Sequence, residues 1–435
     1  MTETDGRFKI RGFIEGFYGN PWSREGRERV LLLMAKHGMN TYFYAPKDDP
    51  FHRDRWREKY PDEKSRELGD LASLCRENGI ALNYCIAPGL SIRFTDENDY
   101  SALIAKLLSV AKLGVRGFGL LMDDIPPELY HPEDIQKYGR AVYAHASLAN
   151  RLYDDLCKAL GEIDFTVCPM QYHGKGDEEY ITALGRRLHP DIRIFWTGRK
   201  ICSDEITSEQ AAYFERNTRH RPLYWDNYPV NDAEMYHEMH LGALEGRDKD
   251  LWKYSDGMIF NCMEYSAASQ IPLITCADYL MNPESYNPAE SLKNAITEVM
   301  GDEAEKFTYF ADNLQYSCLG SENSPVFNSV SARWEQETGA GNKEKATEIM
   351  EEYYAKLLDC CELLNSEGEI FAELSRWAEK QKAACALLGN TLDYVKNPTE
   401  EKYMAVKKEY AAYRRIPEVL YDFSFVYTIE RMLEL

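Results

Sequence analysis

A (β/α)8 barrel of the α/β class, followed by an all-α helical bundle, is the architecture the sequence predicts. Three observations predict it. Eight short apolar or aromatic runs recur between about residue 9 and residue 263, most of them separated by segments with helical spacing. Polar, aromatic and glycine residues cluster after the carboxyl ends of these runs, where a barrel places its pocket. Beyond Met281-Asn282-Pro283-Glu284-Ser285-Tyr286-Asn287-Pro288 the β-branched runs disappear and helical periodicity remains. The expected division is a catalytic barrel over residues 1–285 and a helical bundle over 286–435.

The eight runs are Lys9 to Glu15, Thr41 to Ala45, Ala81 to Ala87, Gly117 to Met122, Asp164 to Pro169, Arg193 to Thr197, Pro222 to Trp225 and Gly257 to Asn261. An uncharged run such as Gly117 to Met122 reads as a strand buried on both faces. Between the first two runs, Ser23 to Gly38 reads as a helix, with serine able to cap its start and glycine its end. Asp62 to Asn78 carries Leu68, Leu71, Leu74 and Cys75 on one face. An open doubly wound sheet is the rival topology, but no Gly-x-Gly-x-x-Gly turn follows the first run. In the second part, Asn287-Pro288 can start a helix that ends at Gly301. Residues 319–342 look irregular. Amphipathic stripes then run from Lys343 to Leu364, through Ile370, Leu374, Trp377, Cys385, Leu388 and Leu392, and onward from Thr399 to Pro417 and the final apolar stretch.

Composition narrows the function. A net charge of -21 argues against a nucleic-acid binder, which needs a basic face to meet phosphate. The segment Met1 to Arg7 is polar, and no uncharged run approaches the ~20 residues of a membrane span. A cytoplasmic protein with no membrane partner is expected. The 11 cysteines include Cys85, Cys168 and Cys262 within apolar runs, which read as reduced core residues. No Cys-x-x-Cys pair occurs, and His237-x-x-His240 lacks the i, i+4 spacing of a zinc-protease helix, so no metal or other cofactor is expected.

The chemistry-bearing feature is Asp123-Asp124 at the end of the fourth run, followed by Ile125-Pro126. An unpaired buried charge is very costly, so two aspartates belong at a mouth rather than in a core. Neighbouring carboxylates repel, which keeps a proton on one of them and suits acid/base work on a sugar. In a regular strand they would point to opposite faces, so they can converge only where the pleat breaks. An aspartate pair alone could also bind Mg2+, but no phosphate loop or basic cluster accompanies it.

Four segments carry a resemblance: Glu15-Gly16-Phe17-Tyr18-Gly19-x-Pro21-Trp22, Asn40-Thr41-Tyr42-x-Tyr44-Ala45-Pro46-Lys47-Asp48-Asp49, Asp123-Asp124-Ile125, and Trp225-Asp226-Asn227-x-x-x-Asn231-Asp232. In that order they make residues 9–285 resemble glycoside hydrolase family 84, the O-GlcNAcases and related bacterial β-N-acetylglucosaminidases. The resemblance implies a retaining exo-β-N-acetylglucosaminidase that works by substrate-assisted catalysis. The substrate's acetamido oxygen would attack its own anomeric carbon and form an oxazoline. Asp123 would polarise the acetamido N–H, and Asp124 would be the general acid and then the base. Tyr172 and Asn227 would hold the acetamido group, Trp225 would wall its methyl, and Gly16, Lys47, Asp232 and Asn261 would bind sugar hydroxyls. The substrate would be a GlcNAc-bearing glycoprotein or glycan. The runs Met170-Gln171-Tyr172 and Asn261-Cys262-Met263-Glu264 depart from the family's usual pattern. A glycosidase with an enzyme carboxylate nucleophile and a catalytically silent GlcNAc-binding module are the alternatives.

Overall fold

The computed structural model describes residues 6–434. Eight parallel strands close into a barrel in chain order. They are β1 (Ile10–Glu15), β2 (Thr41–Tyr44), β3 (Ala81–Ile86), β4 (Gly117–Leu121), β5 (Asp164–Cys168), β6 (Arg193–Trp196), β7 (Pro222–Asp226) and β8 (Gly257–Asn261). β1 pairs with β2 on one side and β8 on the other, so the first and last strands shut the ring. A barrel buries both faces of its strands, and the charged residues of these strands, Arg11, Glu15, Asp164, Arg193 and Asp226, lie at or next to the strand ends.

Period-two geometry decides which residues reach the barrel interior. Ile14, Phe43, Ala45, Cys85, Ala87, Leu121, Cys168, Phe195, Leu223, Trp225 and Ile259 form one buried cluster. Two residues beyond members of that cluster, the same parity arrives at Gly16, Lys47, Asp123, Asn227 and Asn261. The residues that follow the core along each strand are thus the ones delivered to the mouth.

The connecting helices obey local rules. Ser23 Oγ accepts from Gly26 N and starts the helix Arg24–Lys36, and Gly38 takes φ +78° just past its end. The helix Asp62–Glu77 buries Leu68, Leu71 and Cys75, with Leu74 half-buried. Between β7 and β8 the expected helix is replaced by two short 3-10 turns, Ala233–Met235 and Leu251–Lys253. Pro229 and the glycines at 242 and 246 interrupt any apolar stripe there.

The chain forms two compact units. One holds the described residues up to Asp232 together with Leu244–Ser266 and Cys276–Tyr286, and the other holds Ala233–Ala243, Ala267–Thr275 and the described residues from Asn287. The second unit is helical. Pro288–Met300 is capped by Asn287, whose side chain accepts from Glu290 N. The irregular segment expected over 319–342 is corrected: Pro325–Gly339 is a helix that buries Phe327 and Trp334. Its first amides are not capped by a neighbour in sequence. Val326 N and Phe327 N donate to the two carboxylate oxygens of Asp312, at 3.1 and 3.3 Å. The helix Lys343–Leu363 buries Ala346, Ile349, Met350, Tyr353, Leu357, Cys360 and Leu363, and leaves Leu358 exposed. All eleven cysteines are free thiols, and Cys85, Cys168 and Cys262 are buried. Among the described residues, no helix is long and apolar enough to cross a membrane.

Candidate active site

The mouth is built outward from the end of β4. Asp123 keeps the parity of Leu121, whereas Asp124 would turn away from the barrel axis in a continued strand. It does not continue the strand. Asp124 has φ +54°, in the left-handed region that aspartate tolerates better than most residues. Its carboxylate is met from two other strand ends. Tyr18, after β1, donates its hydroxyl to Asp124 Oδ2 at 2.7 Å, and Tyr172, after β5, donates to Oδ1 at 3.1 Å.

Asp123 lies deeper. Its Oδ2 accepts from Lys47 Nζ at 2.5 Å, and the two side chains are only 8% and 4% exposed. Burial alone would push the Asp123 carboxyl up, but the adjacent ammonium outweighs it and holds the group below its usual range. Burial likewise disfavours the Lys47 ammonium, and the Asp123 carboxylate more than compensates. The pair is therefore ionised on both sides. Asp123 Oδ1 is buried and has no hydrogen-bond partner among the described residues. His52 stands close by. Its Nδ1 sits 2.9 Å from the Cys85 carbonyl, which can only accept, so Nδ1 carries the hydrogen and Nε2 the lone pair. Burial and the Lys47 charge push His52 down to about 4, so the ring is neutral.

The opposite wall is a chain of amides. Gly16 N donates to Asn261 Oδ1 at 3.1 Å, and Asn261 Nδ2 donates to Asn227 Oδ1 at 3.0 Å. The same oxygen accepts from Trp225 Nε1 at 3.0 Å, and Asn227 Nδ2 donates to the Ile201 carbonyl at 2.9 Å. The Trp225 indole packs edge-on to Phe195, at a centroid distance of 5.2 Å. A Cβ on residue 16 would sit 2.4 Å from Trp225 Cζ2, so only glycine fits between strand and indole. Asp232 accepts from Tyr18 N at 2.7 Å, and burial raises its carboxyl. Lys47 Nζ lies 5.6 Å from the Tyr18 ring centre and 5.8 Å from that of Trp225. Of the residues singled out in the sequence, Lys47 with Asp123, Asp124 with Tyr172, and the set Gly16, Trp225, Asn227 and Asn261 are joined directly, while Asp232 connects through Tyr18.

Other residues of this end of the barrel were given no role from sequence. Tyr18 lies inside the Glu15–Trp22 motif, whereas Arg53 lies in the connection after β2 with no motif to mark it. Arg53 Nη1 donates to the Tyr18 hydroxyl at 2.9 Å. Glu15 ends β1 in a buried ion pair with Arg27, reinforced by the Tyr42 hydroxyl, and supports the strand rather than the mouth. Asp226 takes a bidentate pair from Arg247 at 2.8 and 2.6 Å, both side chains 1% exposed. Arg247 also donates to the carbonyls of Ser203, Asp204 and Glu245, fastening the loops around β7.

Two carboxylates of unlike environment, one locked as an anion and one reachable from solvent, suit chemistry that needs both a fixed acceptor and an exchangeable proton. Comparison with known proteins points the same way. A family model described as beta-N-acetylglucosaminidase matches residues 11–312. Protein O-GlcNAcase from Rattus norvegicus and that from Mus musculus are each 36% identical over 257 residues, covering 58% of this chain. The match spans 27% of the length of those relatives. The solved structure of a Thermobaculum terrenum O-GlcNAc hydrolase mutant superimposes with a TM-score of 0.91 at 28% identity, over 98% of this chain and 95% of that one.

Proposed function

We infer, because the chain belongs to the β-N-acetylglucosaminidase family, that it is a retaining exo-β-N-acetylglucosaminidase of the O-GlcNAcase type acting through an oxazoline. The observation that carries the mechanism is the unpartnered Asp123 Oδ1. A buried anionic oxygen requires a donor. The acetamido N–H of the substrate supplies one, and the fixed charge of Asp123 sharpens the nucleophilicity of the acetamido oxygen as it approaches the anomeric carbon. Lys47 keeps Asp123 from accepting a proton, so it acts by electrostatics and orientation. It is therefore not the acid.

That role falls to Asp124. Its proton passes to the glycosidic oxygen as the bond to the anomeric carbon breaks and the bonding electrons go to the leaving group. Its carboxylate later takes a proton from the water that opens the oxazoline, on the same face, and configuration is retained. Tyr172 turns its hydroxyl from Asp124 to the acetamido oxygen, Asn227 holds the same group, and Trp225 walls the methyl. Gly16, Lys47, Asp232 and Asn261 bind ring hydroxyls.

Hydrolysis of 4-nitrophenyl β-N-acetylglucosaminide, with negligible hydrolysis of the matching glucoside, is the expected result. Equal rates on both would sink the mechanism, because glucose has no amide to attack. The substrate is a terminal β-linked GlcNAc on a glycoprotein or glycan, and the protein works in the cytoplasm; fractionation that found it elsewhere would refute the second point. For this purpose residues 1–285 form the catalytic part and 286–435 a helical bundle. Loss of turnover in a folded fragment of residues 1–285 would move that boundary.

A further inference from the structure

Asp124 has two oxygens and each accepts from a tyrosine, but the two tyrosines are not equivalent. A phenol has one hydrogen, and an arginine N–H can only donate. Because Arg53 Nη1 donates to the Tyr18 oxygen at 2.9 Å, Tyr18 is held as an acceptor on that side, and its own hydrogen is directed at Asp124 Oδ2, 2.7 Å away. The same contact places the Arg53 guanidinium 5.7 Å from the centre of the Tyr18 ring. Among the described residues no cation is hydrogen-bonded to the Tyr172 hydroxyl, which meets Asp124 Oδ1 at the longer distance of 3.1 Å.

We propose that Arg53 is a positioning residue for the acid step: it locks the Tyr18 hydroxyl as a donor to Asp124 Oδ2 and so confines the exchangeable proton of Asp124 to Oδ1. This rests on the reading of Asp124 as the general acid. When substrate draws the Tyr172 hydroxyl to the acetamido oxygen, Oδ1 is released while Oδ2 stays engaged. The proton then leaves from Oδ1 to the glycosidic oxygen, and Tyr18, keeping its own proton, stabilises the carboxylate left behind. Charge on Arg53 strengthens the Tyr18 donor, as in any polarised hydrogen-bond chain. The other charged or titratable groups that act on Asp124 are Lys47 after β2, Asp123 beside it, Cys168 and Tyr172 from the β5 end, and Asp232 after β7. Lys47 is hydrogen-bonded to Asp123 and acts on Tyr18 only through its charge, 5.6 Å from the ring centre, whereas Arg53 is hydrogen-bonded to the Tyr18 hydroxyl itself.

The test is a series of aryl and alkyl β-N-acetylglucosaminides running from dinitrophenol to unactivated alcohols. Poor leaving groups need the proton and good ones do not. Arg53→Met is expected to lower kcat/KM on the poorest substrates by about fivefold, with little change on the best. Tyr18→Phe should produce the same tilt, and the double variant no more than either single change. Arg53→Lys, which restores a donor, should recover most of the loss. The ratio of poor to good substrates within one variant does not depend on how much of that variant is folded. A uniform loss across the series in Arg53→Met, or additive losses in the double variant, would overturn the proposal. Asp124→Asn separates the two levels: a flat loss in that variant removes the acid assignment itself, whereas a tilt in Asp124→Asn without one in Arg53→Met removes only the role of Arg53.

Discussion

Lys47 and Asp123 share a nearly dry space, and each keeps the other ionised. Removing one partner of such a pair strands a charge. In Lys47→Met the Asp123 carboxyl loses the ammonium that holds it down, so burial dominates and the group gains its proton at higher pH. The acidic limb of kcat/KM against pH should therefore move upward, together with a higher KM if Lys47 makes the proposed hydroxyl contact. An unmoved limb would show that Lys47 does not set the state of Asp123. At this scale the sequence was informative where chemistry is written in adjacent residues, as in Asp123-Asp124. It was silent on Arg53, because a hydroxyl of Tyr18 links it to the site and nothing in the spacing of residues 18, 53 and 124 signals that meeting.

Elements show why some of the architecture could be read and some could not. A strand carries its own signal: the interior parity of Ile14 continues into Gly16, and that of Ile259 into Asn261. Gly16→Ala should force the Trp225 indole aside, at a cost of about 1–3 kcal/mol, and raise KM while the barrel still folds. Unchanged melting temperature and KM would mean that the indole has room to give. The helix Pro325–Gly339 is the contrary case. Its N-terminal acceptor, Asp312, lies on another helix, so no local pattern announces the start. Asp312→Ala leaves the amides of Val326 and Phe327 without that acceptor, and their hydrogen exchange should accelerate by about tenfold. Exchange at the rate of the parent protein would assign the cap elsewhere.

For the molecule as a whole, acid is the condition to watch. His52 and His145 are buried and neutral, pushed down from 6.5 to about 4 and about 3, in both cases chiefly by burial. Above 6.5 both are uncharged whether the chain is folded or not. Below 6.5 the unfolded chain takes up protons that the folded one refuses, so stability is lost as pH falls from 6.5 toward 4, on the order of 3 kcal/mol for each group. Melting temperatures over that window should fall steeply, and His145→Gln should flatten the slope; an identical slope would exclude His145. Eightfold alternation made the barrel legible at this scale, because each βα step repeats one signal. The connection from β7 to β8 was not, since it abandons the repeat for short turns.

Closure by β1 and β8 has a consequence for how the protein is made. The first strand leaves the ribosome without its second neighbour, and Gly16 without the amide of Asn261, until the residues near 261 have been synthesised. Seven-eighths of a finished ring is still an open sheet with two bare edges. Translation that stalls before that point yields not a weaker enzyme but a client for chaperones.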